Sequence, residues 1–248
     1  MEGKGVAMTP RIFSAAPLAR DTDIVLDPVA ARHLREALRL QAGDAFVLFD
    51  GRGGEYAATL TGVTRREVTA RVGDHVVVDR ESPLALTLAQ GISRGERMDY
   101  TLQKAVELGV THIVPLTTER SSVKLDDERA AKRTEHWAGV VRHACEQSGR
   151  TRLPTLAAPT RVAAYAADET APLKLLLDPA ADVPLTAVPA ATAIALAIGP
   201  EGGFGVNERA LLAEAGFRAV RLGPRILRTE TAALVALSIL QALVGDLR

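Results

Sequence analysis

The chain is short of cysteine, of long apolar runs and of excess charge, and each shortage excludes a class of protein. Cys145 is the only cysteine among 248 residues, so no disulfide forms within the chain, and we expect a reducing, cytoplasmic location. The longest apolar runs, 190–198 and 231–243, are shorter than the roughly 18 residues of a membrane-spanning helix. The 30 basic and 30 acidic side chains balance. A protein that coats nucleic acid through bulk positive charge is therefore excluded, and local basic clusters must supply any such binding.

The N-terminal part of the chain has the texture of a small β domain. Residues 1–7 lack the apolar stretch of a secretion signal and are interpreted as a tail before a second possible start at Met8. Short strand-like runs separated by glycine or aspartate turns then predict a β-barrel or sandwich over residues 8–79. Asp27 and Pro28 predict the start of a single helix, whose buried face is expected to hold Ala30, His33, Leu34, Ala37 and Leu38.

After a linker at residues 79–83, strands and helices alternate, which predicts a parallel sheet covered by helices over residues 83–248. With 47% hydrophobic residues the chain has enough apolar material for two such domains. The predicted strands are 84–88, 112–116, 174–177, 192–198 and 219–222, and the predicted helices are 96–108, 126–147, 206–215 and 230–244.

A glycine-rich segment, Gly199–Gly205, directly follows the apolar strand that ends at Ile198. Open α/β sheets bind ligands at the carboxyl ends of their strands, and glycine lets a ligand approach the backbone closely. The spacing matches neither a dinucleotide loop nor a phosphate loop, and Glu201 would repel a polyanion. A ligand with hydroxyls, an amine or a positive sulfur suits this turn better, although a tight connection without a ligand stays an alternative.

A second special loop, Leu222–Arg228, leaves another predicted strand and enters an apolar helix. Thr229 is expected to cap that helix, and the free N–H groups of its first turn favour an anion or a developing negative oxygen. Arg225 and Arg228 add fixed positive charge. The alternative is a capped helix with solvated arginines.

Several other residues invite a functional interpretation. Cys145 is interpreted as a buried structural thiol, because Val141, Cys145 and Ser148 share helical spacing. No paired metal-ligand spacing occurs around it, so no metal site is predicted. Trp137 is interpreted as a core or dimer contact. Two clusters are rich in basic residues and are either nucleic-acid contacts or solvated faces: Arg32, His33, Arg35 and Arg39, and Arg218, Arg221, Arg225 and Arg228.

Taken together, the motifs resemble those of the bacterial 16S ribosomal RNA uracil N3 methyltransferases, which belong to the SPOUT class. The similarity runs from about Met8 to the last residue in matching order. It is carried by Pro10-Arg11-Ile12-Phe13, Leu48-Phe49-Asp50-Gly51, Ser93-Arg94-Gly95-Glu96-Arg97-Met98, Gln103–Val110, Ala144–Arg150, Gly199–Phe204 and Leu222–Ala232.

This resemblance implies a fold and a reaction. The fold is α/β, with an N-terminal PUA-like β-barrel for RNA at 8–79 and a C-terminal SPOUT methyltransferase domain at 83–248, whose trefoil knot holds S-adenosylmethionine. The reaction is N3-methylation of one uridine, uracil-1498, in 16S ribosomal RNA or the small subunit, by a homodimer packed partly through its last helix. A ribosome-assembly protein that binds RNA without catalysis and a ribose 2′-O-methyltransferase of the same fold are the alternatives.

The resemblance also implies roles for single residues. Asp178 stands where family members often have histidine or glutamate, and Glu230 is a weak candidate for a general base. Arg228 is the predicted catalytic residue, because cationic donors stabilise the uracil anion. The predicted cofactor contacts are Leu176, Leu177, Gly199, Pro200, Glu201, Gly202, Leu222, Gly223, Ile226 and Leu227. The predicted RNA contacts, chiefly to phosphates, are Arg11, His33, Arg35, Arg39, Arg94, Lys104 and Arg120.

Overall fold

The computed structural model describes residues 9–121 and 126–247, and these form two compact units. The first unit contains the residues up to Glu81 together with Cys145–Leu153, and the second contains Ser82–Ala144 and the chain from Pro154 onward. Cys145–Leu153 lies within the C-terminal domain predicted from the sequence at 83–248. This segment groups with the first unit because the Glu81 carboxylate accepts hydrogen bonds from Arg150 Nε at 2.9 Å and from the Arg152 backbone N–H at 3.2 Å.

The first unit is built on a five-stranded sheet in the order β1-β3-β4-β5-β2. Strand β1 pairs with β3 in parallel, and the other pairs are antiparallel. Alternate residues of the long strands, such as Leu60, Val68, Ala70 and Val72, are buried in one core, as expected for a sheet with one covered face. The strands are β1 (Arg11–Phe13), β2 (Asp23–Val25), β3 (Ala45–Phe49), β4 (Glu55–Val63) and β5 (Val68–Val76).

The helix of the first unit begins as predicted but does not continue as a regular α-helix. Asp27 caps α1 (Pro28–Arg32), since its carboxylate accepts from the N–H groups of Val29 and Ala30 at 2.9 and 3.1 Å. The chain then forms a π-helical turn, His33–Ala37. This wider turn rotates the following residues off the buried face, so the expected burial of Ala37 and Leu38 is wrong.

The second unit contains a parallel sheet in the order β12-β10-β11-β6-β7-β8, with β9 also paired to β7. The predicted alternation is confirmed, while β8, β9 and α4 were not foreseen. The strands are β6 (Ala85–Gly91), β7 (His112–Thr117), β8 (Thr155–Leu156), β9 (Thr160–Arg161), β10 (Leu173–Leu177), β11 (Ala193–Ile198) and β12 (Arg218–Val220). The helices are α2 (Glu96–Glu107), α3 (Asp127–Ser148), α4 (Val162–Asp168), α5 (Val206–Glu214) and α6 (Thr229–Val244).

The central strands of this sheet place the special loops at one edge. Residues Ile194–Ile198 of β11 are buried, because helices cover both faces of a parallel sheet. The neighbouring β10 and β6 run in the same direction, so their carboxyl ends open toward the same edge as the glycine-rich turn. Within the described ranges, no helix combines the length and apolar character that crossing a bilayer requires.

Candidate functional site

A cavity of about 560 Å³ lies at the carboxyl ends of β10 and β11. Its size is that of a typical small-molecule site. The end of β10, the glycine turn Gly199–Gly205 and the second loop Leu222–Arg228 contribute most of its walls, and Arg97, Arg120, Arg209 and the α6 residues Thr229 and Ala232 complete them. The two loops singled out in the sequence therefore face one space.

The glycine turn is packed tightly against the rest of the sheet. Gly203 has a φ of 67°, which glycine adopts without strain, and its N–H donates to the Pro200 carbonyl at 2.8 Å. A Cβ on Gly199 would stand 2.9 Å from Gly203 backbone atoms, and a Cβ on Gly91 would stand 2.4 Å from Pro200 N. These glycines are needed for close backbone approach.

Thr229 does not cap α6 as expected. The residue before the helix is Arg228, and its side chain makes no capping hydrogen bond. The Thr229 hydroxyl instead donates to the Gly199 carbonyl at 2.6 Å and accepts from Gln90 Nε2 at 2.9 Å. Thr229 thereby ties the two loops together, and the N–H groups of the first turn of α6 keep no side-chain cap next to the cavity.

Glu201 is held by protein groups rather than directed wholly at a ligand. Its Oε1 accepts from Arg97 Nη1 at 2.8 Å and from the Arg94 backbone N–H at 3.2 Å. Burial acts to raise the pKa of this carboxyl, but hydrogen bonds from backbone N–H groups and from Arg97, together with the Arg97 charge, outweigh it and hold the pKa below its ordinary value. Glu201 thus braces the loop that precedes α2.

The cavity brings together most of the predicted site residues. Every predicted cofactor contact except Gly223 lines it, as do Arg228 and Arg120. Gly223 forms the bend of the second loop with a φ of 60°. Asp178 also lines the cavity, where its carboxylate stands 3.7 Å from Arg209 Nη1.

Two predicted RNA contacts, Arg11 and Lys104, form hydrogen bonds and ion pairs with other protein groups. The Arg11 side chain is only 10% exposed and bonds Glu55 at 3.0 Å and the Cys145 carbonyl at 3.1 Å, so the structure gives its predicted RNA contact no support. Burial lowers its pKa, against the opposing effect of Glu55. Lys104 is paired with Glu107 at 2.8 Å along α2, which is the structural alternative for such a pair.

The predicted contacts of the first unit lie around the π-helical turn. Arg39 is exposed and has a φ of 54°, and His33 is half-buried. Arg35 donates to the carbonyls of Thr64 and Arg65 at 3.2 Å each, which places the turn between β4 and β5 beside it. Arg65 and Arg66 of that turn are exposed and were not predicted as RNA contacts, because no helical periodicity connects them to the first cluster.

The second unit also holds lining residues that were not among the predicted cofactor, RNA or catalytic residues. Arg97, Phe204 and Arg209 line the cavity. Arg97 lies in the first turn of α2, within the Ser93–Met98 motif that carries part of the resemblance, so that motif was the available signal. Arg209 lies in α5 and had no such signal.

Cys145 and Trp137 are structural, as interpreted. Both are fully buried. Burial raises the pKa of the Cys145 thiol to about 12, so the thiolate needed for nucleophilic attack is scarce near neutral pH. The Trp137 indole N–H donates to Asp99 at 3.1 Å. Among the described residues no group of three His, Cys, Asp or Glu side chains is placed to hold a metal ion.

Comparison with known families decides what kind of protein carries this site. Residues 80–241 match the model of an RNA methyltransferase domain, and residues 26–73 match that of an RNA methyltransferase PUA domain. The chain belongs to the ribosomal RNA small subunit methyltransferase E family. The predicted α/β fold of the SPOUT class with an N-terminal PUA-like unit is thereby confirmed.

Relatives and solved structures of this family cover nearly the whole chain. The methyltransferase E of Synechocystis sp. is 34% identical over 96% of this chain and 78% of its own length, and that of Buchnera aphidicola from Schizaphis graminum is 30% identical over 96% and 98%. A Neisseria gonorrhoeae methyltransferase E bound to S-adenosylmethionine is 39% identical with a TM-score of 0.89, covering 97% of this chain and 100% of that one. A putative Legionella pneumophila methyltransferase with bound S-adenosylmethionine is 41% identical with a TM-score of 0.94 at the same coverage.

Proposed function

We propose that this chain transfers the methyl group of S-adenosylmethionine to N3 of one uridine, uracil-1498, in 16S ribosomal RNA, and that it acts as a homodimer. The observation that carries the proposal is the single cavity formed by the glycine turn and the second loop, in a family whose solved members hold this cofactor. The same proposal assigns the trefoil knot to the second unit and the predicted cofactor and RNA roles to the residues that line the cavity.

The residues of the cavity fit S-adenosylmethionine. Leu176, Ile198, Phe204 and Leu227 supply apolar surface, while the glycine turn offers main-chain groups that an adenine or a ribose can approach closely. When bound, the cofactor supplies a methyl group on a positive sulfur. Asp178 stands at the end of β10, where a carboxylate can accept hydrogen bonds from hydroxyl or amine groups.

Arg228 is the candidate for stabilising the reacting base. Uracil N3 must lose its proton before it can accept a methyl group, and the resulting charge spreads onto the two ring carbonyl oxygens. Arg228 and the uncapped first turn of α6 offer positive charge and N–H donors to such an oxygen. Arg97 is less available for this, because Glu201 neutralises it at 2.8 Å. Glu230 does not line the cavity, so its assignment as a base gains no support.

The reaction also requires that the uridine leaves its base pair, because N3 lies on the pairing edge. Arg120 and Arg225, which line the cavity, are placed to meet the phosphates of a nucleotide that enters it. In the first unit, the positive charge that favours RNA binding comes from Arg35, Arg39, Arg65 and Arg66.

The outer face of α6 supports the homodimer. Its residues Leu234, Val235 and Ile239 are only partly buried within the chain, and Leu243 is 44% exposed. An apolar helix face of this kind gains free energy when a second copy covers it.

The proposal is tested with ribosomal small subunits from cells that lack this activity. The wild-type protein is incubated with labelled cofactor, and the nucleosides are analysed by mass spectrometry for 3-methyluridine. Arg228→Ala is expected to lower kcat by about 100- to 1000-fold, as for the loss of one charge-stabilising donor, while the cofactor Kd changes little. Arg161→Ala removes an exposed arginine of β9 outside the cavity and serves as the control. The proposal is contradicted if the labelled methyl group is found on a ribose 2′-oxygen, or if the protein binds the RNA without transferring any label.

A further inference from the structure

The short loop directly after β7, Thr118–Ser121, forms part of the cavity wall through Arg120. The side chain of Arg120 lies on the glycine turn, since its Nη1 donates to the Gly202 carbonyl at 3.2 Å. Its Cβ lies 3.0 Å from the position that a Cβ on Gly202 would occupy. The place of Arg120 at the cavity therefore depends on how the chain around Glu119 and Ser121 is held.

Glu208, in the first turn of α5, holds that loop. Its side chain is buried, with the residue only 6% exposed, and its Oε2 accepts from the Gly205 N–H at 2.8 Å in a capping box. Its Oε1 accepts from the Glu119 backbone N–H, also at 2.8 Å. The first bond serves the helix itself, but the second reaches a loop 89 residues earlier in the chain and does nothing for the cap.

The charge of Arg120 is left for a ligand. Of the arginines that line the cavity, Arg97 and Arg209 face Glu201 and Asp178 respectively. Within the part of the chain that the structure describes, Arg120 forms no ion pair and bonds only the Gly202 carbonyl. The positive sulfur of the cofactor is not attracted to the positive guanidinium of Arg120. An RNA phosphate, in contrast, can accept two hydrogen bonds from one guanidinium.

We infer that Glu208 is a positioning residue that fixes the loop after β7 so that Arg120 binds the phosphate of the methylated nucleotide. The inference rests on the proposed function for its ligand, but the bond between Glu208 and the loop stands on geometry alone. The helix cap at Gly205 and the loop anchor at Glu119 then share one buried carboxylate, each oxygen of which accepts one backbone N–H.

A double-mutant cycle between Glu208 and Arg120 tests this coupling. Glu208→Gln keeps the shape of the side chain but turns an NH2 group toward one of the two N–H donors, and Arg120→Ala removes the guanidinium. Each single variant is expected to lower kcat/KM for the RNA about tenfold with the cofactor Kd changed less than twofold. The kcat/KM of the double variant is expected to be no lower than that of the less active single variant, because the effects of residues that act as one unit do not add.

The salt dependence of kcat/KM distinguishes a role of Glu208 in positioning Arg120 from a simple loss of stability. Arg120→Ala and Glu208→Gln should each reduce the slope of log kcat/KM against log salt concentration by about one, as for one lost phosphate contact. Val141→Ala, which opens space at a buried site in α3 and does not line the cavity, lowers the melting temperature without changing that slope. Fold-losses that multiply in the double variant, or an unchanged slope in Glu208→Gln, overturn the inference.

Hydrogen exchange tests the loop anchor independently of activity. The Glu119 amide should exchange slowly in the wild-type protein and faster in Glu208→Gln, whereas amides of β11 should not change. An unchanged Glu119 rate overturns the anchor even if the enzyme is active. If the wild-type protein transfers no methyl group, the proposed function fails by itself, and the exchange rates still decide whether Glu208 holds the loop.

Discussion

The two loops that form the cavity differ in how firmly the rest of the protein holds them. The glycine turn is fixed from several sides: Gly199 and Pro200 are buried, Glu201 is bonded to Arg97, and the Gly199 carbonyl is bonded to Thr229. The second loop is anchored mainly at its two ends, and between them Gly223–Ile226 is exposed, with Ile226 85% exposed. We infer that the glycine turn reaches its final structure when the protein folds, whereas the second loop is completed only when a ligand covers it.

The packing beneath the glycine turn gives the largest expected effect. In Gly91→Ala, the new Cβ meets Pro200 N and Cδ at 2.4 Å, so the backbone of the turn must move. Overpacking of this kind costs about 1–3 kcal/mol of the free energy of unfolding. The cofactor Kd should also rise at least about tenfold, because Pro200 lines the cavity although Gly91 does not. Urea unfolding and calorimetric titration measure the two effects.

The control for this variant is a glycine with room for a side chain. A Cβ on Gly139, in α3, comes no closer than 4.0 Å to the nearest atom, which is the flexible end of Arg142. Gly139→Ala should therefore stabilise the protein by about 0.5–1 kcal/mol through helix propensity and leave cofactor binding unchanged. Equal stabilities for Gly91→Ala and the wild type would show that the turn is not fixed by this contact.

The exposed second loop should behave in the opposite way. Ile226→Ser should change the free energy of unfolding by less than about 0.5 kcal/mol, because the side chain buries little in the protein alone. Cofactor affinity should fall about tenfold, since covering an isoleucine contributes about 1.5–3 kcal/mol when it is complete. Val77→Ser, at an 88% exposed valine of the first unit, is the matched control and should leave the Kd unchanged. A large loss of stability in Ile226→Ser contradicts the comparison.

The sequence was sufficient where one local pattern specifies one outcome. The apolar run of β11 leads straight into glycines, and parallel strands end at one edge, so the joint cavity of the two loops could be predicted. The Asp27-Pro28 start of α1 could be predicted for the same reason, because a helix cap involves residues that are neighbours in the chain.

The sequence was insufficient where a partner distant in the chain decides the role of a residue. Arg11 bonds Glu55, which lies 44 residues away, and Thr229 bonds Gln90, which lies 139 residues away. No periodicity signals either pairing. The π-helical turn at His33–Ala37 likewise has no signal in the apolar spacing, and its wider turn reverses the expected burial of Leu38.

The smallest expected effect concerns the ion pair between Glu201 of the glycine turn and Arg97. The pKa of Glu201 lies below its ordinary value of about 4.5, so the folded state prefers the charged carboxylate. Its contribution to stability is therefore present above pH 4.5 and is lost as the pH falls through the lower folded-state pKa. Because Glu201 is a third exposed, this contribution should not exceed about 1 kcal/mol.

Glu201→Gln sharpens the comparison, because it removes the charge while leaving the glycines in place. The variant should unfold more easily than the wild type in urea at neutral pH, and the difference should shrink steadily below pH 4.5 as the wild-type carboxylate takes up its proton. Glu214→Gln, at an exposed glutamate of α5 outside the cavity, should show no such trend. A difference that stays constant down to low pH would mean that the shape of Glu201, and not its charge, fixes the turn.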